Sequence, residues 1–579
     1  MWVADDEERS WGDRLTTARR HVLTLGVRAV ATSLVLGAVL LAAARWPDAS
    51  WVPAVTAVGL LVPLVLLRRL VVAMLRGGDR DVGNEGSATG TFIATRLIAV
   101  AVAVVVASHH GWDVPATLTS AALLVAVLLE PPVRVAVGRA VPYALNLDDG
   151  RGRIRNWPAA DPSWAFAVTT VALAATHVDL LDGEVGLLSY VAAGAALATV
   201  SLVGVDAALR IRRRGVFEAR IPAMLAALGP RFVLHWEGPV GTGYQVHTWL
   251  PYLDRVGVPY VIVLRNAQNF RDVAGATAPV IVLPALAHLD KLLVPTLTTA
   301  VYVNTATSNQ HLVRYAHLRH VQLNHGDSDK IPSHNPAFRL YDRNFVAGQA
   351  AVDRFTHAGI TVQDDFFRIV GRPQVEDVAE ARADREGRRP VVLYAPTWLG
   401  FHADSHYSSL RHGVSIVQQL LDADCDVVFR PHPYARNDRN LARAVDDVVA
   451  LLAADSARSG REHRTGDAVE SCPISECFNM SDAMVADVSS VIGEYLFSGK
   501  PYAITDMSAG DGAAEAFPAA EGGYLVKPAQ DCAVRHALEV MLGEDPHRAR
   551  REELRVYYLG DLPREGYADT FVRALRAEL

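Results

Sequence analysis

Asp482-Ala483-Met484-Val485-Ala486-Asp487-Val488-Ser489-Ser490-Val491-Ile492-Gly493-Glu494-Tyr495 reads as a short apolar strand, bounded by aspartates, that runs into a helix. Outward from it the pattern repeats. The spans Arg231 to Trp236, Val258 to Leu264, Pro279 to Leu283 and Ala300 to Asn304 form one series of short apolar strands. Pro390 to Ala395, Asp426 to Phe429, Ala483 to Ala486 and Tyr502 to Thr505 form a second. Strands bounded by Gly, Pro or Asp and separated by helix-length segments predict βαβ units with parallel sheets. Two series in one stretch predict two Rossmann-like domains, 216–385 and 386–579. The charged run Arg382 to Arg389 marks the join.

Ligands of open α/β sheets lie outside the carboxyl ends of the strands, so polar residues just after each strand are the site candidates. Four clusters qualify. Asn324 to Lys330 follows an apolar strand and contains His325-Gly326, an imidazole that titrates near neutrality beside a glycine that lets substrate approach the backbone. Arg430-Pro431-His432-Pro433 fixes two donors with two prolines, a pairing suited to phosphate oxygens. Ser489 or Ser490 is placed to cap a helix whose free N–H groups attract an anion, and Glu494 lies one turn in. Tyr394-Ala395-Pro396-Thr397-Trp398 sets a hydroxyl and an indole at a strand end. Taken singly, a loop histidine, a stiff turn, a helix cap and a packing residue explain each cluster.

The N-terminal part is of another kind. The chain has 579 residues, of which 50% are hydrophobic and 21% charged, and a mean hydropathy of +0.15. That excludes a disordered chain and points to lipid. Apolar runs at Ala29 to Ala44, Ser50 to Leu67, Leu97 to Ser108, Val114 to Leu129, Pro162 to Val178 and Val185 to Val205 predict about six transmembrane helices within 1–215. The third reaches span length only with Thr91 to Ile93 and Arg96, the guanidinium snorkelling to the headgroups. Arg96 and Glu130-Pro131-Pro132, the charged groups near lipid depth, fall at predicted helix ends and read as interface anchors.

Residues 1–215 hold 20 arginines, no lysine and 18 acidic residues, whereas 216–579 hold 36 basic and 45 acidic ones. With the N-terminus in the cytoplasm, 19 arginines fall inside and only Arg45 outside, so the positive-inside rule predicts a multi-pass plasma-membrane protein with a cytoplasmic C-terminal region. Asp5 to Glu8 ahead of the first run argue against a cleaved signal peptide. The acidic balance excludes a basic nucleic-acid binder. Four cysteines, all in the second part, fit a reducing compartment. Cys472, Cys477 and His463 are too loosely spaced for a zinc site.

In their order, these clusters resemble the CDP-glycerol glycerophosphotransferase family of teichoic-acid primases and polymerases. The resemblance rests on His325-Gly326, Gly371-Arg372-Pro373, Tyr394 to Trp398, Arg430 to Pro433, Asp487 to Ser490 and Lys500-Pro501. It covers about 250 residues and leaves the N-terminal half outside. Asp327, Val488 and Glu494 depart from the threonine, tyrosine and aspartate usual there.

The resemblance implies a GT-B-like catalytic region that moves a polyol phosphate, glycerol phosphate foremost, from a CDP-polyol to a hydroxyl of a lipid-linked or envelope polymer, releasing CMP. It implies His325 as general base and Arg430, His432, Ser489 and Ser490 as holders of the donor diphosphate, with His432 also protonating the departing CMP. Glu494 and Thr397 would contact ribose or polyol. No cofactor is assigned, and Mg2+ is left open because no carboxylate pair is tied to the phosphate site. The alternatives are a nucleotide-sugar glycosyltransferase of the same fold and a non-catalytic membrane scaffold or transporter accessory. The polyol, the acceptor and the oligomeric state are not legible.

Overall fold

The computed structural model of the chain describes residues 28–46, 49–75, 92–111, 113–139, 143–147, 162–182, 184–239, 241–326, 335–381, 387–399, 407–507 and 517–579. Asp5 to Glu8, Arg9, Arg14, Arg19, Arg20, Arg76, Arg80, Thr91, Arg151, Arg153, Arg155, Asp327 to Lys330 and Arg382 to Glu386 lie outside the described residues. The chain divides into two compact units, Met1–Met224 and Leu225–Leu579.

A helix that is apolar all round, rather than along one stripe, suits lipid or a deep core. In the first unit such sequences form the helices Arg28–Arg45, Trp51–Leu75, Ile93–His110, Val114–Arg139, Pro162–Asp179 and Leu187–Leu228. Among the described residues four segments are long and apolar enough to cross a membrane, namely Arg28–Arg45, Val114–Val137, Ala165–Asp182 and Leu187–Leu228. The shorter apolar stretches Trp51–Pro63 and Ile93–His109 accompany them.

Two expectations fail in this unit. Glu130-Pro131-Pro132 does not end its helix, which continues to Arg139. Proline removes one backbone donor but is tolerated in apolar helices whose neighbours re-satisfy the backbone. Nor are Arg96 and Glu130 interface anchors. Both are buried, 0% and 5% exposed, with N–O contacts of 2.6 Å, and the guanidinium lies 4.2 Å from the Phe166 ring centroid. The partners stand 34 residues apart on different helices, so a reading of hydropathy along the chain does not pair them.

In the second unit the strands β1 Phe232–Trp236, β2 Tyr260–Leu264, β3 Val280–Val282, β4 Thr299–Tyr302, β5 Arg319–Gln322, β6 Arg343–Val346 and β7 Phe367–Ile369 lie side by side in the order β3-β2-β1-β4-β5-β6-β7. A second sheet holds β8 Val391–Ala395, β9 Asp426–Phe429, β10 Ala483–Asp487, β11 Tyr502–Thr505 and β12 Tyr524–Val526 in the order β9-β8-β10-β11-β12. These neighbours all pair in parallel.

Parallel sheets are covered on both faces, which requires near-continuous apolar strands. All five residues of β2 are buried accordingly. In the second sheet Leu393, Val428, Met484 and Ile504 feed one core, while Val392, Val427, Val485 and Ala503 feed the core on the opposite face. Strand order reverses between β1 and β4 and again between β8 and β10. At such reversals successive connections leave on opposite faces and open a crevice at the carboxyl ends.

Candidate active site

The histidine loop begins where β5 ends. Asn324 takes φ +59, a left-handed conformation that asparagine tolerates better than most residues. Its amide donates to Asn344 Oδ1 at 2.9 Å, and its carbonyl accepts from Trp249 Nε1 at 2.6 Å. The turn leaves His325 Nδ1 2.9 Å from the Val303 carbonyl oxygen. A carbonyl only accepts, so Nδ1 carries the hydrogen and Nε2 keeps a lone pair. Burial, then the nearby Arg372 charge, hold this imidazole below its ordinary 6.5 and so neutral at pH 7. A Cβ on Gly326 would come within 3.3 Å of Ser490 Oγ, so this loop lies against the second sheet's serine pair.

On the second sheet, Arg430 N donates to Tyr394 O and His432 N to Pro396 O, each at 3.0 Å. The Arg430-to-Pro433 segment is thereby laced to the Tyr394-to-Trp398 segment. Tyr434 N donates to His432 Nδ1 at 3.1 Å, so the neutral His432 ring carries its hydrogen on Nε2. Trp398 stacks on His432 with ring centroids 6.0 Å apart. The two histidines therefore present opposite functions, an acceptor Nε2 on His325 and a donor Nε2 on His432. Tyr244, in the connection after β1, meets both edge-on, at 6.4 Å from His325 and 6.3 Å from His432. Sequence reasoning missed Tyr244, and the available signal was Gly241-Thr242-Gly243 just after a strand.

Arg430 Nη2 donates to the Cys472 carbonyl at 3.2 Å, while Nη1 is buried with no hydrogen-bond partner among the described residues. Ser489 occupies the N-cap position of the helix Ser490–Tyr495 but makes no side-chain cap bond. Its Oγ is buried and likewise unpartnered among the described residues. The expected serine cap is thus absent at Ser489, and that hydroxyl is left over. Glu494 is buried and its Oε1 accepts from Arg372 Nε at 3.0 Å. Thr397 is buried, its N–H donating to Asp487 Oδ2 and its carbonyl accepting from Ser408 Oγ, both at 2.7 Å.

Two residues of the motifs are structural. Asp487 is fully buried, accepts from Thr397 N, Ser409 N and Thr505 Oγ1, and is raised above the ordinary carboxylate range by burial. Lys500 Nζ donates to the carbonyls of Phe478 and Ser481 at 2.7 Å each, closing the end of the helix Ile474–Met480. His463 pairs with Asp455 at 3.0 Å rather than with the thiols of Cys472 and Cys477, which stand 3.9 Å apart.

Two parallel α/β sheets thus carry a neutral imidazole acceptor on one and an Arg-His-Ser constellation on the other, an arrangement suited to group transfer. Residues 372–508 match the family model described as CDP-glycerol:poly(glycerophosphate) glycerophosphotransferase. Over that stretch the chain is similar to the CDP-glycerol glycerophosphotransferase family. The match includes Arg372, Thr397, Arg430, His432, Ser489, Ser490 and Glu494 and begins after His325.

No curated protein matches the chain. Similar solved structures include the wall teichoic acid polymerase TagF, at 12% identity over 64% of this chain and 96% of that one with a TM-score of 0.40. A glycosyltransferase from Rickettsia africae ESF-5 is 12% identical over 60% of this chain and 98% of that one, with a TM-score of 0.38.

Proposed function

We propose that this enzyme is a membrane-anchored, GT-B-type transferase that moves glycerol phosphate from CDP-glycerol to a hydroxyl of a lipid-linked or envelope polymer. His325 Nε2 takes the acceptor hydroxyl proton. The acceptor oxygen forms its bond to the glycerol-bearing phosphorus as the bridging P–O bond to CMP breaks, CMP leaves as the phosphate anion, and His432 Nε2–H donates a hydrogen bond to the departing oxygen. Arg430, Ser489 and Ser490 hold the diphosphate, and Glu494 and Thr397 border the ribose or polyol. In-line phosphoryl transfer depends mainly on such positioning and charge stabilisation.

The observation that carries this reading is the opposite tautomers of His325 and His432, both of which meet the Tyr244 ring. Arg430 Nη1 and Ser489 Oγ, unpartnered among the described residues, are the groups a diphosphate satisfies. The apolar runs support six spans and the arginine distribution supports a cytoplasmic N-terminus and catalytic unit, an arrangement that sets the enzyme beside an acceptor at the inner leaflet.

Incubating membranes that contain the full chain with CDP-glycerol and with CDP-ribitol separately tests the proposal. CMP release from CDP-glycerol with label entering the acceptor is the expected result. Release of a nucleoside diphosphate from a nucleotide sugar, with no CMP from either CDP-polyol, selects the glycosyltransferase reading instead.

A further inference from the structure

Arg372 lies on the segment that leaves β7 and enters the second sheet's half of the unit. Gly371 before it has φ +77, and a Cβ there would come within 2.8 Å of the Tyr567 ring, so only glycine fits. Arg372 N donates to the Tyr567 hydroxyl at 3.0 Å, which fixes the backbone from which the side chain starts. The guanidinium, 7% exposed, then reaches both sheets at once. Nη2 donates to the His325 carbonyl at 2.9 Å, Nε donates to Glu494 Oε1 at 3.0 Å, and the group lies 5.6 Å from the Trp249 ring centroid.

We infer that Arg372 is a positioning residue that couples the base-bearing loop of the first sheet to the helix carrying Ser489, Ser490 and Glu494 on the second. A planar guanidinium holds two acceptors in fixed directions, which a lysine ammonium does not. His325 and the serine pair are in register only while both bonds are made. The inference rests on the reading of His325 as base. Among the described residues, the groups near that imidazole are the Tyr244 phenol from the β1 connection, the Val303 carbonyl after β4, Ser490 beside Gly326, and Arg372, whose own carboxylate partner is Glu494. Arg372 is the cation among them, so its charge opposes protonation of His325.

The test compares Arg372→Gln and Arg372→Lys with wild type, using the full chain in membranes. One readout is kcat and KM with CDP-glycerol. The other is the pH dependence of His325 acylation by diethylpyrocarbonate, followed on its own peptide by mass spectrometry, which needs no substrate. Arg372→Gln is expected to lose about tenfold or more in kcat with little change in KM, because alignment rather than donor affinity is lost. Its His325 acylation midpoint moves up in pH toward 6.5, since the opposing charge is gone.

Arg372→Lys is expected to lose kcat while the acylation midpoint stays in place. A merely structural role moves neither the midpoint nor kcat per folded molecule. An unmoved midpoint in folded Arg372→Gln, or a kcat within about twofold of wild type in either variant, overturns the inference. If Arg372→Gln does not fold, the kcat of Arg372→Lys decides by the same criterion. Absence of CMP release by the wild type is a separate result that removes the functional reading, while the acylation midpoints still report the coupling.

Discussion

His325 Nδ1 and the Val303 carbonyl oxygen are joined by a hydrogen bond of 2.9 Å. That one contact decides which ring nitrogen is free to serve as the proposed base, because it spends the neutral ring's only N–H and leaves Nε2 with its lone pair. Replacing His325 with alanine is expected to lower kcat with CDP-glycerol and acceptor by roughly a hundredfold or more.

In the proposed mechanism His325 acts in its neutral form, and burial together with the Arg372 charge lowers its pKa from the ordinary 6.5. Activity therefore stays flat above pH 6.5 and falls as the solution is acidified through the lowered value. A kcat profile whose acid limb lies at or above 6.5 contradicts the assignment.

His432→Asn retains an oxygen near Nδ1 to accept from Tyr434 N, and it removes the Nε2 donor. The variant is expected to melt with the wild type and to lose roughly a hundredfold in kcat. Normal CMP release from it contradicts the donor role.

Asp487→Ala strips a partner from Thr397 N, Ser409 N and Thr505 Oγ1 inside the protein. A buried unsatisfied polar group costs about 1–3 kcal/mol, so a stability loss of about 3 kcal/mol or more is expected from thermal unfolding of the second unit. Activity falls with it, since Thr397 and the loop at Ser409 lose their anchor.

Lys500→Met leaves the Phe478 and Ser481 carbonyls without that donor. Destabilisation of about 2 kcal/mol is expected by the same reasoning, with kcat close to wild type well below the melting temperature. A large kcat defect at unchanged melting temperature would move Lys500 from scaffold to site.

Much of this was legible because a parallel sheet needs apolar strands and its site residues follow them directly. β2 and β10 are buried from end to end and stand out in the sequence. β6 does not. Its Arg343 and Asn344 read as loop residues, yet both are buried, Arg343 answered by Asp365 at 2.7 Å and by Glu578 at 3.4 Å. A strand whose charge is met by residues 22 and 235 positions away has no local signal. The same holds at the site, where His325 and Arg430 were visible from their neighbours in the chain. Tyr244 and Arg372 meet partners far along the chain, and Arg96 with Glu130 repeats that limit in the helical unit.

The most direct test of the central claim is CMP release from CDP-glycerol by membranes holding equal amounts of the wild type and His325→Ala. Acceptor-dependent CMP from the wild type and roughly a hundredfold less from the variant is the expected result. Equal CMP from both, or none from the wild type, contradicts it.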